Sequence, residues 1–249
     1  MDIFIITGAS KGLGFSIVKN LSRCDDCKII CISRHKNEEI EKLPSGKNVE
    51  IKFFEFDLLN LENIEKLVKD IFAYVNIKNS KNIYLINNAG IIAPLKPITE
   101  LTMKEILDNI YINFISSLEL TSFFLKYTNN SKANKFIVNI SSKSAENPIK
   151  HWLCYSSSKA ALDNLTKYIS VEYLKKSNIK SISFHPPAMD TSMRKENIKA
   201  KNIFERIWDF ISIRILKRKK LYSPDEVAEK ILKILLEKNF HSGSIVEIK

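Results

Sequence analysis

The strongest constraint on this chain is a rhythm. Short apolar runs rich in β-branched residues, at 3–6, 28–32, 49–56, 82–86, 135–140, 181–184 and 244–248, alternate with longer stretches whose apolar residues recur near every 3.6 positions. Leu61, Ile64, Leu67, Val68 and Ile71 form one such stripe. Several of the short runs are apolar almost throughout, as strands are when helices cover both faces of a parallel sheet. Strand–helix–strand units joined by right-handed crossovers then give an α/β fold, a Rossmann-type doubly wound parallel sheet of about seven strands. Thr102-Met103-Lys104-Glu105 has the form of a capping box and opens a helix through Ile106, Ile110 and Phe114.

The 249 residues contain no linker, low-complexity stretch or internal repeat, so a single domain spanning 1–249 is expected. The rhythm breaks once, between Pro187 and Ser223, where Ile203, Phe204, Ile207, Trp208 and Ile211 make an amphipathic pattern. Ligands of open α/β sheets bind beyond the carboxyl ends of the strands. An excursion over about 188–222 is therefore placed to cover a substrate, and an ordinary surface helix is the plainer alternative. No apolar run reaches the roughly 18 residues that span a bilayer. The start, Met1-Asp2-Ile3-Phe4, lacks the flank of a signal peptide, so a cytoplasmic protein without membrane contact is expected.

The formal net charge of +11 raises nucleic acid as a partner, but the lysines are scattered and aromatic residues do not alternate with them. The one dense run, Arg214 to Lys220, reads more simply as a solvated basic face, so no nucleic acid is expected. Cys24, Cys27 and Cys31, followed by His35, invite a zinc site. Cys31 lies within an apolar strand, and no second ligand pair accompanies the cluster, so no metal is expected.

The first strand runs into Thr7-Gly8-Ala9-Ser10-Lys11-Gly12-Leu13-Gly14 and then a helix over 15–21. Glycines at Gly8, Gly12 and Gly14 permit a tight turn and bring backbone N–H groups, at a helix N-terminus, against a pyrophosphate. The second strand ends in Ser33-Arg34-His35, with no carboxylate before Glu38. An acidic residue here suits the ribose of NAD, whereas Arg34 with Lys11 suits the 2′-phosphate of NADP. NADP(H) is therefore expected over NAD(H). The third and fourth strands end in Asp57-Leu58 and in Asn87-Asn88-Ala89-Gly90, short polar groups that either meet the cofactor or serve the turns.

The fifth strand ends in Ser141-Ser142, and Tyr155-Ser156-Ser157-Ser158-Lys159 follows. Tyr155 and Lys159 are i and i+4, hence on one face of a helix. A nearby ammonium is expected to bring the phenol's pKa down from about 10, so that Tyr155 can give a proton to a carbonyl oxygen. Ser142 would hydrogen-bond the same oxygen. Asn113, polar within an apolar helical stretch, is either satisfied there or a bystander.

Gly8/Gly12/Gly14, Asp57, Asn87-Asn88-Ala89-Gly90, Asn113, Ser142 and Tyr155/Lys159, in this order and spacing, resemble the short-chain dehydrogenase/reductase family over essentially the whole chain. The stretch His185-Pro186-Pro187-Ala188-Met189-Asp190-Thr191-Ser192-Met193 and the tail from Leu221 are similar to its benzil reductase and sepiapterin reductase branch. The resemblance implies an Asn113–Ser142–Tyr155–Lys159 catalytic tetrad. In it Lys159 also binds the nicotinamide ribose, and Asn113 holds a water in a proton relay to Lys159. The implied cofactor contacts are Gly8, Ser10, Lys11, Gly12, Leu13, Gly14, Ser33, Arg34, Asp57, Leu58, Asn88, Ala89, Gly90, Tyr155, Lys159, Pro186, Thr191 and Met193. Pro187 replaces the family's glycine, and Thr191 keeps the hydroxyl expected at the nicotinamide amide. Trp152, Met189 and Trp208 are candidates for an apolar substrate wall, with Met193 beside them.

The activity so implied is reduction of a ketone or dicarbonyl by a homodimer or homotetramer. Reduction of a 3-oxoacyl group on an acidic carrier protein, docked by the Arg214–Lys220 run, is an alternative. A non-catalytic NADP-binding sensor or scaffold is another, against which an intact tetrad speaks.

Overall fold

The computed structural model describes residues 1–176, 178–191, 193 and 221–249. Seven strands form one parallel sheet among these residues, in the order β3-β2-β1-β4-β5-β6-β7. They are β1 (Asp2–Thr7), β2 (Cys27–Ser33), β3 (Val49–Glu55), β4 (Asn82–Asn87), β5 (Asn134–Ile140), β6 (Ile179–His185) and β7 (Ser244–Glu247). All seven apolar runs are therefore strands, with ends shifted by a residue or two. Helices α1 (Gly12–Leu21), α2 (Ile64–Tyr74), α3 (Met103–Ile110), α4 (Ser116–Thr128), α5 (Leu153–Glu172) and α6 (Pro224–Glu237) connect or flank them.

The period of two along each strand divides the core between the faces. Phe4, Ile6, Ile29, Cys31, Tyr84, Ile86, Phe136 and Val138 pack under α1 and α6. Ile3, Ile5, Ile30, Ile32, Ile83, Leu85 and Ile137 pack under α2, α4 and α5. Each such isoleucine contributes about 1.5–3 kcal/mol by leaving water, so register is strongly fixed: a slip of one residue would exchange the faces. On the α1 side Phe4, Tyr84 and Phe136 stand opposite one another on β1, β4 and β5, their rings stacked 4.5 and 4.6 Å apart.

Strand order reverses beside β1, whose neighbours are β2 and β4. The carboxyl ends Thr7 and Asn87 open there, where a doubly wound sheet leaves a crevice for ligands. The Thr102–Glu105 capping box forms as expected. The helix it opens is not uniform, however: Tyr111–Ile115 is a π turn between α3 and α4. Such wide turns reorient one side chain at the expense of the regular ladder, and here that side chain is Asn113.

Of the excursion over 188–222, its two ends are described. Met189 and Tyr222 form a parallel bridge, with Asp190 N–H donating to the Tyr222 carbonyl at 3.2 Å and Tyr222 N–H to Ala188 at 3.2 Å. Trp208 and the basic run Arg214 to Lys220 lie outside the described residues.

Candidate active site

The turn after β1 is closed by backbone. Gly8 and Gly12 have φ of +67° and +57°, the left-handed region where a Cβ is penalised. A Cβ on Gly14 would stand 2.2 Å from the Gly8 carbonyl oxygen, so only glycine lets the first turn of α1 seat on the end of β1. Lys11, extended and exposed at the N-cap, gives α1 no side-chain cap. The N-terminal amides thus point outward without a capping oxygen, at the positive end of a ten-residue helix. This cradle fits a dinucleotide pyrophosphate. Leu13 is buried in the core, and Ser10 offers its carbonyl to Asn37 Nδ2 at 2.8 Å, which ties the turn to the segment after β2.

Around the turn stand the other strand ends. Gly8 N–H donates to the Ile32 carbonyl at 2.8 Å, next to Ser33 and the exposed Arg34. Asp57 is exposed and accepts from Leu59 N–H at 3.0 Å, and Leu58 is buried behind it. Asn88 Nδ2 donates to the carbonyls of Thr7 at 2.9 Å and Gly8 at 3.3 Å. Thr7 Oγ1 accepts from the N–H groups of Asn88 and Ala89 at 2.9 and 3.0 Å. Thr191 reaches back over the turn: a Cβ on Gly12 would lie 3.6 Å from its Cγ2. Pro186, Pro187, Met189 and Met193 are partly buried, and Met189 packs against the core.

Tyr155 and Lys159 project from the first half of α5 and are 8% and 3% exposed. Ser142 follows β5, its Oγ accepting from Ser144 N–H at 3.2 Å and Ser144 Oγ at 3.0 Å. Its own proton remains available to the Tyr155 phenol, whose pKa the Ser142 hydroxyl lowers. Lys159 Nζ donates to the Ile140 carbonyl at 2.8 Å and lies 5.6 Å from the centre of the Tyr155 ring. Asn113 is fully buried: its Oδ1 accepts from Ile91 N–H at 2.8 Å, and its Nδ2 donates to Ile91 O, Asn109 Oδ1 and Ser158 Oγ at 2.9–3.1 Å. Gly90 is the spacer between these groups, since a Cβ there would sit 3.1 Å from Asn113 Oδ1 and 3.4 Å from Lys159 Nζ. The four expected residues therefore converge. Trp152 lies edge-on to Tyr155, with ring centres 5.6 Å apart.

The charges differ from expectation in one respect. Burial pushes the Tyr155 phenol up to about 12, with the Ser142 hydroxyl pulling it back. Burial also pulls Lys159 down to about 8, against the attraction of Asp163. The lysine does not bring the phenol below its ordinary value here, because both groups lose water together and each favours its neutral form. Chemically the site presents a phenol that keeps its proton at neutral pH, a hydroxyl that can donate, and a lysine poised near neutrality.

Thr7, Asn109, Ser158, Asp163 and His185 also belong to this neighbourhood, and sequence reasoning did not single them out. Asn109 has a findable signal: it lies four residues before Asn113 on the same helix face, and its Nδ2 bonds the Ile91 and Ala93 carbonyls at 3.3 and 2.6 Å. No metal-ligand cluster of three His, Cys, Asp or Glu occurs among the described residues. Cys31 lies inside β2, its thiol pushed up to about 12 by burial.

The sequence matches the short chain dehydrogenase family over residues 2–202. It is 34% identical over 250 residues to the (S)-benzoin-forming benzil reductase of Bacillus cereus, covering 100% of this chain and 99% of that protein. It is 24% identical to the sepiapterin reductase of Rattus norvegicus, over 98% of this chain and 95% of the relative. The solved KRED1-Pglu enzyme superposes with a TM-score of 0.79 at 25% identity, covering 99% and 100% of the two chains. The chain belongs to the short chain dehydrogenase family, in the branch resembling benzil and sepiapterin reductases, and is thus an oxidoreductase of a class that binds a nicotinamide dinucleotide.

Proposed function

We propose that the protein is an NADPH-dependent carbonyl reductase that converts a ketone or dicarbonyl, of the benzil or sepiapterin kind, to the hydroxy compound. The observation that carries this reading is the convergence of a buried phenol, a hydroxyl and a buried lysine beside the uncapped glycine turn. Gly8, Ser10, Lys11, Gly12, Leu13 and Gly14 would hold the pyrophosphate. Ser33, Arg34 and Lys11 would take the 2′-phosphate, and Asp57 and Leu58 the adenine half. Asn88, Ala89, Gly90, Lys159, Pro186, Thr191 and Met193 would hold the nicotinamide half. The reduced nicotinamide, when bound, supplies the hydride.

The chain's own residues manage the proton. Tyr155, holding its proton at neutral pH, releases it from Oη to the substrate oxygen as that oxygen becomes negative. The Ser142 hydroxyl donates to the same oxygen. The phenolate left behind faces Lys159, whose value near 8 lets it give a proton toward Tyr155 and take one back from solvent water reaching it past Asn113. Trp152 presents an aromatic face for an apolar substituent.

Tyr155→Phe tests this reading with the fold intact. NADPH consumption with benzil or diacetyl should fall by about 10²–10⁴-fold while NADPH still binds; an undiminished rate would sink the mechanism. Turnover of acetoacetyl thioesters in preference to dicarbonyls would instead favour reduction on an acyl carrier.

A further inference from the structure

Among the described residues Asp163 is the one buried carboxylate, 6% exposed, and it lies one helical turn beyond Lys159. Tyr155, Lys159 and Asp163 are i, i+4 and i+8 on α5, so all three face the sheet. Asp163 is held from two directions: Ser183 Oγ donates to Oδ1 at 2.6 Å, and His185 Nε2–H donates to Oδ2 at 2.8 Å. Ser141 donates its hydroxyl to the Lys159 backbone carbonyl at 3.0 Å and adds a smaller pull on the Asp163 carboxyl in the same direction. Burial alone would raise this carboxyl, but the bonds from His185 and Ser183 outweigh it and hold it below its ordinary range.

A buried charge is costly unless it answers another. The other charged groups facing this cluster are peripheral. Glu146 Oε1 is 4.0 Å from His185 Nδ1, and Lys143 pairs with both Glu146 and Glu247 at 2.9 and 3.1 Å; all three side chains are about half exposed. Glu247 lies opposite His185 in the β6–β7 register. On α5 itself the same row holds Tyr155 and, four residues beyond Asp163, the exposed Lys167. Those surface charges are screened by water, whereas Asp163 and Lys159 share a dry interior.

We propose that Asp163 is a positioning residue for proton transfer: clamped by Ser183 and His185, its carboxylate keeps Lys159 charged despite burial. This rests on the role given to Lys159 above. It assigns the carboxylate a task beyond joining α5 to β6, because a purely structural Asp163 would leave the lysine's titration unmoved.

The test is the titration of Lys159 in protein labelled with ¹³C at lysine Cε, its resonance identified by its loss in Lys159→Met. In Asp163→Asn the midpoint should fall by about one pH unit or more, and the basic limb of the kcat/KM profile with benzil should move down with it. Asp163→Glu, which restores the charge, should return both toward wild type. Asp163→Ser is the second variant should Asn not fold, with the same shift expected. A midpoint unchanged in a folded charge-removing variant overturns the proposal. Survival of benzil reduction in Lys159→Met would refute the role of the lysine instead, and the resonance titration would still decide the coupling.

Discussion

Lys159 is an ammonium carried to a place where water would hold it better. Its folded-state value near 8 lies below its ordinary 10.5, so between these values the folded chain binds fewer protons than the unfolded one. The contribution of this lysine to stability should therefore rise with pH across that window, its penalty complete below about 8 and gone above about 10.5, while the buried Cys31 thiol, pushed up to about 12, acts in the opposite direction. At about 1.36 kcal/mol per unit the penalty is on the order of 3 kcal/mol, partly offset by the bond to Ile140. Lys159→Met removes this titration, strands Asp163 and loses activity, so the stability of wild type relative to the variant should rise by on the order of 3 kcal/mol between pH 8 and 10.5. Urea unfolding of both proteins from pH 7 to 10.5 checks this, and a difference between them that does not change with pH would contradict it. At this scale the sequence was legible where spacing carries meaning. Tyr155 and Lys159 share a helix face by arithmetic alone, and the Ser142 hydroxyl follows the fifth strand. Asp163 and Thr7 are ordinary residue types whose partners, His185 and Asn88, are distant in sequence. The upward shift of Tyr155 was hidden for a related reason: spacing shows a neighbour's charge but not the loss of water.

At the scale of elements, the join between β1 and α1 depends on two glycines for different reasons. A Cβ on Gly12 would meet only Thr191 Cγ2, at an ordinary 3.6 Å, but the positive φ makes alanine there cost about 1–2 kcal/mol of backbone energy. Gly14 has no positive φ but faces the Gly8 carbonyl at 2.2 Å, and a backbone atom cannot step aside as a side chain can. Gly14→Ala should therefore cost more than Gly12→Ala, about 2–4 kcal/mol, and weaken NADPH binding by displacing the turn. Thermal unfolding of the two variants, with NADPH titrations, checks the order. The turn was readable because glycines at these intervals after a strand have few other uses. The π turn at Tyr111–Ile115 was not, because its residues, Tyr-Ile-Asn-Phe-Ile, continue the apolar pattern of the helices on either side. Only the demand of Asn113 for Ile91 and Ser158, brought by β4's loop and α5, distinguishes the wide turn from a regular one.

For the whole molecule, the order β3-β2-β1-β4-β5-β6-β7 brings a basic strand end, a glycine turn and a buried phenol to the same edge of the sheet. Strand identity and parallel packing were legible from apolar runs; the contacts linking the four site residues were not, since they cross between elements far apart in sequence. If Arg34 reads the 2′-phosphate, NADPH at 100 times its Kd should stabilise the native state by about 2.7 kcal/mol, and NADH at the same concentration by less. Arg34→Ala should erase the difference in Tm between the two dinucleotides while leaving the NADH shift in place. An equal shift with both in the wild type would remove the case for NADP preference.

The π turn has one more consequence, for tolerance of chain length. Deletions are usually absorbed by surface loops and ruinous inside helices, because removing a residue rotates everything beyond it by about 100°. Between Tyr111 and Ile115 the helix already carries a residue more than a regular ladder needs. Loss of one residue there would mend the hydrogen-bond ladder and leave α3 and α4 in phase. The protein would keep its strand order but lose the presentation of Asn113, and with it the buried bonds to Ile91 and Ser158, a lesion expected in turnover as well as in stability.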